Sequence, residues 1–209
     1  MSVAALRPIR RKRLKVEAEV AGVDEAGRGP LAGPVAVAAV ILDPKRVPRG
    51  IDDSKKLTPE RRDALFDEII VKARASAIVF ASVAEIETLN IRGATLAAMC
   101  RAVSALALRP ERAVIDGIDV PPGLFCPGLA IVDGDALHPS IAAASILAKV
   151  ARDRAMMALG RLFPLYGFER HMGYATPEHL AAIERHGPCP HHRLSFAPLR
   201  QGRLPLELV

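Results

Sequence analysis

The chain has no tryptophan, two tyrosines and six phenylalanines. Proteins that hold single strands without sequence preference stack bases on aromatic rings, and so few rings cannot build a broad platform of that kind. Cysteine is scarce too: Cys100, Cys126 and Cys189 form no C-x-x-C pair and leave an odd count, which argues against a disulfide framework and for a reducing compartment. Cys189-Pro190-His191-His192 resembles half of a zinc site, yet no second Cys or His cluster completes it. Nowhere do roughly 18 apolar residues run together, and the basic start RPIRRKRLK leads into Glu17 and Glu19 instead of an apolar signal core. These absences predict a cytoplasmic protein with no membrane span.

Half of the 209 residues are hydrophobic, enough for a buried core in one domain with a small C-terminal appendage. The formal charge of +6 and a pI near 9.6 favour a polyanionic partner. Nucleic acid leads, and with few rings available its contacts should fall on phosphate and sugar. Positive charge is densest at the start. Arg7, Arg10, Arg11, Lys12, Arg13 and Lys15 give residues 1–15 the pattern of a flexible basic arm, either a plain solvated tail or a non-specific phosphate grip.

The rest is organised around residues 20–35, VAGVDEAGRGPLAGPV. Val20 to Val23 read as a buried strand that runs into two adjacent carboxylates, Asp24 and Glu25, and then into Gly27-Arg28-Gly29. The glycines let the backbone bend and come close to a ligand, which would meet two carboxylates, one guanidinium and free backbone N–H groups. An acidic pair at a strand end is also often no more than a solvated turn. A phosphate loop has the Gly22-to-Gly27 separation, but Arg28 and Gly29 replace its Lys and Ser or Thr, and Pro30 interrupts the helix it needs. A dinucleotide fingerprint lacks its third glycine, with Ala32 in that place.

Val35 to Leu42 is a second apolar run, ended by Asp43-Pro44, so two strands should pair antiparallel across a Gly/Pro-rich loop. Residues 43–57 form a polar loop carrying Asp52-Asp53-Ser54-Lys55-Lys56. Thr58-Pro59-Glu60 opens a helix with a capping hydroxyl, a proline in the first turn and an early acid; Leu65, Phe66, Ile69 and Ile70 are its inner face. A third strand over Ser76–Val83 precedes a helix from about Ala84 to Leu108 that bends around Gly93. A fourth strand, Arg112–Asp116, and a short fifth, Leu129–Val132, follow. The long helix from His138 to about Leu162 carries an alanine band, Ala142, Ala143, Ala144, Ala148 and Ala151, that lets it lie close to the sheet. Thr176-Pro177-Glu178 starts a last short helix ending near Gly187. The order β-β-α-β-α-β-β-α predicts an α/β fold, a mixed sheet covered by helices.

Asp24 and Glu25 end the first strand, Asp116 ends the fourth, and Asp135 follows the fifth through Val132-Asp133-Gly134. If strands one and four are neighbours, these acids meet at one edge of the sheet. Like charges held together raise one another's pKa unless a cation neutralises them. Oxygen ligands without His or Cys select a hard ion, Mg²⁺ or Mn²⁺, and such a cage suits two ions about 3.5–4 Å apart acting on a phosphodiester. Successive strand residues face opposite sides, so Asp24 and Glu25 point the same way only if the glycine-rich bend turns one of them. Asp116-Gly117 is equally an ordinary strand-to-turn exit.

Seven blocks in order, GVDEAGRGPLAGPV, DDSKKL, NIRGAT, VIDG, GDALHPSIAAASILAKVARDR, YGFERHMGYATPEHL and GPCPHHRLSF, make the chain resemble ribonuclease HII, the prokaryotic type 2 ribonucleases H, over about residues 18–200. The resemblance implies an RNase H-like fold, a mixed five-stranded sheet flanked by helices with a short C-terminal helical extension. With the basic arm read above over 1–15, the chain is expected to divide into that arm, a catalytic domain over 16–163 and a substrate-contacting segment over 164–209. The resemblance also implies an endonuclease using two Mg²⁺ or Mn²⁺ ions on RNA–DNA hybrids and on ribonucleotide-containing duplex DNA, cut 5′ of a single ribonucleotide to leave 3′-hydroxyl and 5′-phosphate ends. The chain is expected to act as a monomer.

By motif position, Asp24, Glu25, Asp116 and Asp135 correspond to the family's metal-binding carboxylates. Gly27, Arg28 and Gly29 correspond to the loop that senses the 2′-OH at the RNA–DNA junction, largely through backbone groups. Tyr174 matches the tyrosine that packs on the neighbouring deoxyribose, and Ser54 and Lys55 match phosphate contacts. The chemistry is consistent: the 2′-OH distinguishes RNA from DNA, and a glycine-lined loop allows the approach needed to bond it. Two positions depart from the pattern. Met172 replaces the lysine of H-K-G-Y, removing a cation near the substrate, and Asp133 replaces the lysine of K-G-D, placing a second acid two residues from Asp135. Motif register favours Asp135 as the ligand.

Overall fold

The computed structural model describes residues 14–52 and 54–200, so the expected basic arm lies outside the described residues except for Leu14 and Lys15. Two apolar runs set the centre of the sheet. β1 (Val20–Ala26) and β2 (Val35–Ile41) pair antiparallel, with Ala21 opposite Ile41 and Ala26 opposite Ala36. β3 (Ala75–Ala81) joins β2 antiparallel, β4 (Arg112–Asp116) runs parallel to β1, and β5 (Gly128–Ile131) runs parallel to β4. The order β3-β2-β1-β4-β5 is a mixed five-stranded sheet, as the element order predicts. β2 is buried from end to end, which accounts for its unbroken apolar run: with both faces covered, no polar alternation is required.

The helices are α1 (Pro59–Lys72), α2 (Val83–Ser104), α3 (Gly134–Leu137), α4 (Pro139–Leu162), α5 (Phe168–His171) and α6 (Pro177–His186). On one face of the sheet, Ala38 and Val40 pack with Leu65 and Ile69 of α1 and with Ala142, Ala143 and Ala144 of α4. On the other, Val37 and Ala39 pack with Ala94, Ala98 and Met99 of α2. α4 lies so close to β1 that a Cβ on Gly22 would stand 2.1 Å from the Ser140 carbonyl carbon. The alanine band and Gly22 together permit that approach.

Some details differ from expectation, and α2 ends at Ser104 and not near Leu108. β3 stops at Ala81 because Ser82 caps α2: its hydroxyl accepts from the Glu85 N–H at 3.2 Å, and the Glu85 carboxylate accepts from the Ser82 N–H at 2.8 Å. The bend in α2 falls at Asn90, with φ 58 and ψ 170, and not around Gly93. The Asn90 side-chain oxygen accepts from the N–H groups of Arg92 and Gly93 and so recaps the helix after the break. α3 and α5 were not expected, and four residues each is too short for a periodic signal.

The C-terminal segment docks back on the centre of the molecule. Tyr166, Phe168, Ala182 and Cys189 cluster with Met156 of α4 and with Ala32 of the β1–β2 loop, and Ala32 also bridges to His192. Among the described residues no helix is long and apolar enough to cross a membrane.

Candidate active site

Parallel pairing sets Val23 of β1 beside Ile115 of β4, so Asp24 and Asp116 follow at the ends of adjacent strands. Asp24 is 5% exposed. Burial raises its carboxyl well above the ordinary range, and the Glu25 and Asp116 charges push the same way. The Glu25 N–H, donating to Asp24 Oδ1 at 2.6 Å, and the Ser145 hydroxyl of α4 oppose the rise. The Glu25 carboxyl is raised as well, first by burial; Arg28, 3.5 Å away, opposes this and Asp116 adds to it. Asp116 Oδ1 accepts a 2.7 Å bond from the N–H of Gly134, which moors α3. The next residue, Asp135, is buried, whereas Asp133 is exposed with φ 54.

Strand pairing continues regularly through Glu25 to Ala26, so the glycine-rich bend comes too late to turn either acid. Alternation holds, which corrects the idea that the bend brings both to one side. Asp24 faces α4, where Ser145 reaches it. Glu25 faces α2, in a cleft of about 140 Å³ shared with Arg28, Arg92, Thr95 and Asp116. The two acids straddle the end of the sheet, and Asp116 couples to both.

Among the described residues no three His, Cys, Asp or Glu side chains are gathered into a finished ligand shell. The donor set still suits a hard divalent cation. Its donors are carboxylate oxygens, and two of these groups carry a desolvation and repulsion cost that a cation between them removes.

The Gly27 corner is not a phosphate loop. Gly22 is pressed against α4, and the chain after Pro30 enters β2 and not a helix. Gly27 has φ +98, and a Cβ there would stand 1.8 Å from Arg152 Nε. Beside Gly29 lies the half-exposed ring of Tyr174, whose Cε1 would be 3.9 Å from a Cβ on that glycine. The Tyr174 carbonyl is held by His179 Nδ1 at 2.8 Å; His179 Nε2 meets His192 Nε2 at 3.0 Å, and His192 Nδ1 accepts from the Cys189 N–H at 2.9 Å. One proton arrangement satisfies all three bonds: His179 carries its proton on Nδ1, His192 on Nε2, and both rings are neutral. Burial holds both below the usual histidine range, His192 at about 4.

Of the expected phosphate contacts, Lys55 is exposed and its charge lowers the Glu25 carboxyl, whereas the buried Ser54 hydroxyl lies 2.8 Å from that of Ser145. Met172 packs against the C-terminal cluster. Sequence reasoning missed Ser145, the Arg92–Asp119 pair that ties α2 to the turn after Asp116 at 2.6 Å, and two buried arginines, Arg152 and Arg193. The available signals were weak: Ser145 interrupts the alanine band, Arg193 stands alone in a neutral stretch, and Arg152 is hidden among Lys149, Asp153 and Arg154, where nothing marks it as the buried one.

The sequence pattern of ribonuclease HII matches residues 21–199. A ribonuclease HII of Burkholderia thailandensis is 60% identical over 183 residues, covering 88% of this chain and 85% of its own. One from Azorhizobium caulinodans is 60% identical over 189 residues, covering 90% and 72%. Among solved structures, the ribonuclease H2 of Pyrococcus horikoshii has a TM-score of 0.73 at 29% identity, covering 87% of this chain and 95% of that one. Bst-RNase HIII in complex with Mn²⁺ shares the fold, with a TM-score of 0.66 at 20% identity over 96% of this chain and 74% of that one. With that match spanning nearly the whole length, the chain belongs to the ribonuclease HII family.

Proposed function

We propose that this ribonuclease cuts the RNA strand of RNA–DNA hybrids and cuts duplex DNA on the 5′ side of a single embedded ribonucleotide, leaving 3′-hydroxyl and 5′-phosphate ends. The observation that carries the reading is the coupling of Asp24, Glu25 and Asp116 at one end of the sheet, where Glu25 shares its cleft with Arg28 of the Gly27–Gly29 loop. Asp24, Glu25, Asp116 and Asp135 would hold two Mg²⁺ or Mn²⁺ ions, and burial joins motif register in favouring Asp135 over the exposed Asp133. When bound, two such ions lower the pKa of an attacking water and offset charge on the leaving oxygen.

The chain's own residues orient the substrate. Backbone N–H groups of the loop meet the ribose 2′-OH, and the Tyr174 ring lies against the next sugar, leaving no room for a second 2′-OH. Lys55 and Arg28, both exposed, face phosphate. Ser145 and the Glu25 N–H fix the orientation of Asp24. The rival from another class is a basic binding module whose acids are merely surface turns, and Asp116→Asn separates the two. Hybrid cleavage should fall at least about 1,000-fold, roughly 4 kcal/mol of barrier, while duplex binding persists. Unchanged metal-dependent cleavage in that variant would falsify the assignment.

A further inference from the structure

The loop between β1 and β2 turns nearly all of its carbonyl oxygens inward. Arg193 is 0% exposed, and its guanidinium uses all five N–H groups on this one loop. Nε and Nη2 donate to Gly33 O at 3.0 and 2.7 Å, Nη2 to Gly27 O at 2.7 Å, and Nη1 to Arg28 O and Pro30 O at 2.9 Å each. The Arg193 main-chain N–H donates to Leu31 O at 2.8 Å. Arg152 takes the Ala32 and Pro34 oxygens at 3.2 Å each, and its third bond, 3.0 Å to Met172 O, ties the loop to the turn that carries Tyr174. Among the described residues, only the Gly29 carbonyl between Gly27 and Pro34 is left without a donor.

Peptide geometry converts this inward set into an outward one. In a trans peptide the C=O of one residue and the N–H of the next point in opposite directions, and none of the loop's bonds is cis. With the Gly27 and Arg28 oxygens drawn onto Arg193, the N–H groups of Arg28 and Gly29 must face away from it. Neither donates to any group among the described residues, and Pro30 has no N–H to add. Burial, with the Arg152 cation beside it, brings the Arg193 guanidinium down to about 9, so it stays charged at neutral pH and holds its oxygens by charge-assisted bonds.

We propose that Arg193 is a positioning residue for ribose recognition: by collecting the loop's carbonyls it aims the Arg28 and Gly29 amides at the 2′-OH, while Arg152 sets the distance from this loop to Tyr174. The proposal rests on the reading above that the loop meets the ribose. Lysine cannot substitute at position 193, because an ammonium has three donors on a point and not five in a planar fork.

The test uses full-length protein carrying Asp116→Asn to prevent turnover. Affinity is measured for two duplexes that differ only in one ribonucleotide against its deoxyribonucleotide. Adding Arg193→Lys should reduce the ratio of the two affinities at least tenfold, and adding Arg152→Lys at least threefold, with circular dichroism showing native secondary structure. A purely structural role would weaken both duplexes alike and leave the ratio standing. An unchanged ratio in the folded Arg193→Lys protein, or failure of both variants to fold, overturns the proposal. A ratio near one before either arginine is changed overturns the ribose reading of the loop instead.

Discussion

On the function proposed above, Asp24 is placed where activity and stability pull in opposite directions. A carboxyl whose folded pKa is raised costs stability once pH climbs past its unfolded value near 3.9, and the whole cost is present above the raised folded value. Asp24→Asn removes that cost. In chelator-treated protein at pH 8 the variant should melt several degrees above the parent, the gap closing as pH falls and Asp24 takes its proton, while cleavage is lost. A lower melting temperature at pH 8 would contradict the account. Tyr174→Ala should reduce cleavage beside a lone ribonucleotide at least tenfold and change binding to an all-DNA duplex little; equal losses in both assays would count against the sugar-packing role. The acids and Tyr174 were legible because each stands at a strand end or in a marked motif. Arg152 and Arg193 were not, because a sequence does not reveal that an arginine is buried and facing carbonyls instead of water.

Strands and helices follow closely from apolar runs and caps, as β2 and the Thr58-Pro59 start of α1 show. The misplaced bend in α2 has a simple cause. Glycine looks like the natural break, yet Asn90 both tolerates positive φ and supplies an oxygen that caps the next turn. Where elements touch, single residues decide. Gly22→Ala would force a Cβ against the backbone of α4 and should cost about 3 kcal/mol in chemical denaturation; a loss below about 1 kcal/mol would mean that α4 can shift away freely. The C-terminal segment carries a pH dependence of the opposite sign to that of Asp24. His192, facing His179, His171, His191, Cys189 and Tyr166, has its folded pKa lowered to about 4. Its stabilising contribution is complete above the unfolded value near 6.5 and is lost as pH falls toward 4, roughly 3 kcal/mol in all. Thermal scans from pH 7 to 4.5 should show that loss, and His192→Gln should flatten it; an unchanged slope would remove His192 as its source.

At the scale of the whole molecule, one end of the sheet gathers what the linear order scatters: acids from β1 and β4, a loop from between β1 and β2, and a turn from the C-terminal segment. That the sheet would be mixed was readable from the element sequence, but its full strand order was not, and neither was the docking of residues 164–200 onto that loop, since it depends on histidine and arginine contacts that leave no periodic trace. The net charge of +6 belongs to this scale as well. Replacing Lys12 and Arg13 by glutamine should make the salt dependence of duplex binding shallower by about 2 in log–log slope, and an unchanged slope would show that the arm makes no phosphate contact. The most direct test of the central claim is cleavage-site mapping on a duplex with one embedded ribonucleotide, with and without Mg²⁺. The account predicts a single Mg²⁺-dependent cut on the 5′ side of that ribonucleotide, with a 3′-hydroxyl and a 5′-phosphate. A cut at any other bond, or the same cut in the presence of chelator, would contradict it.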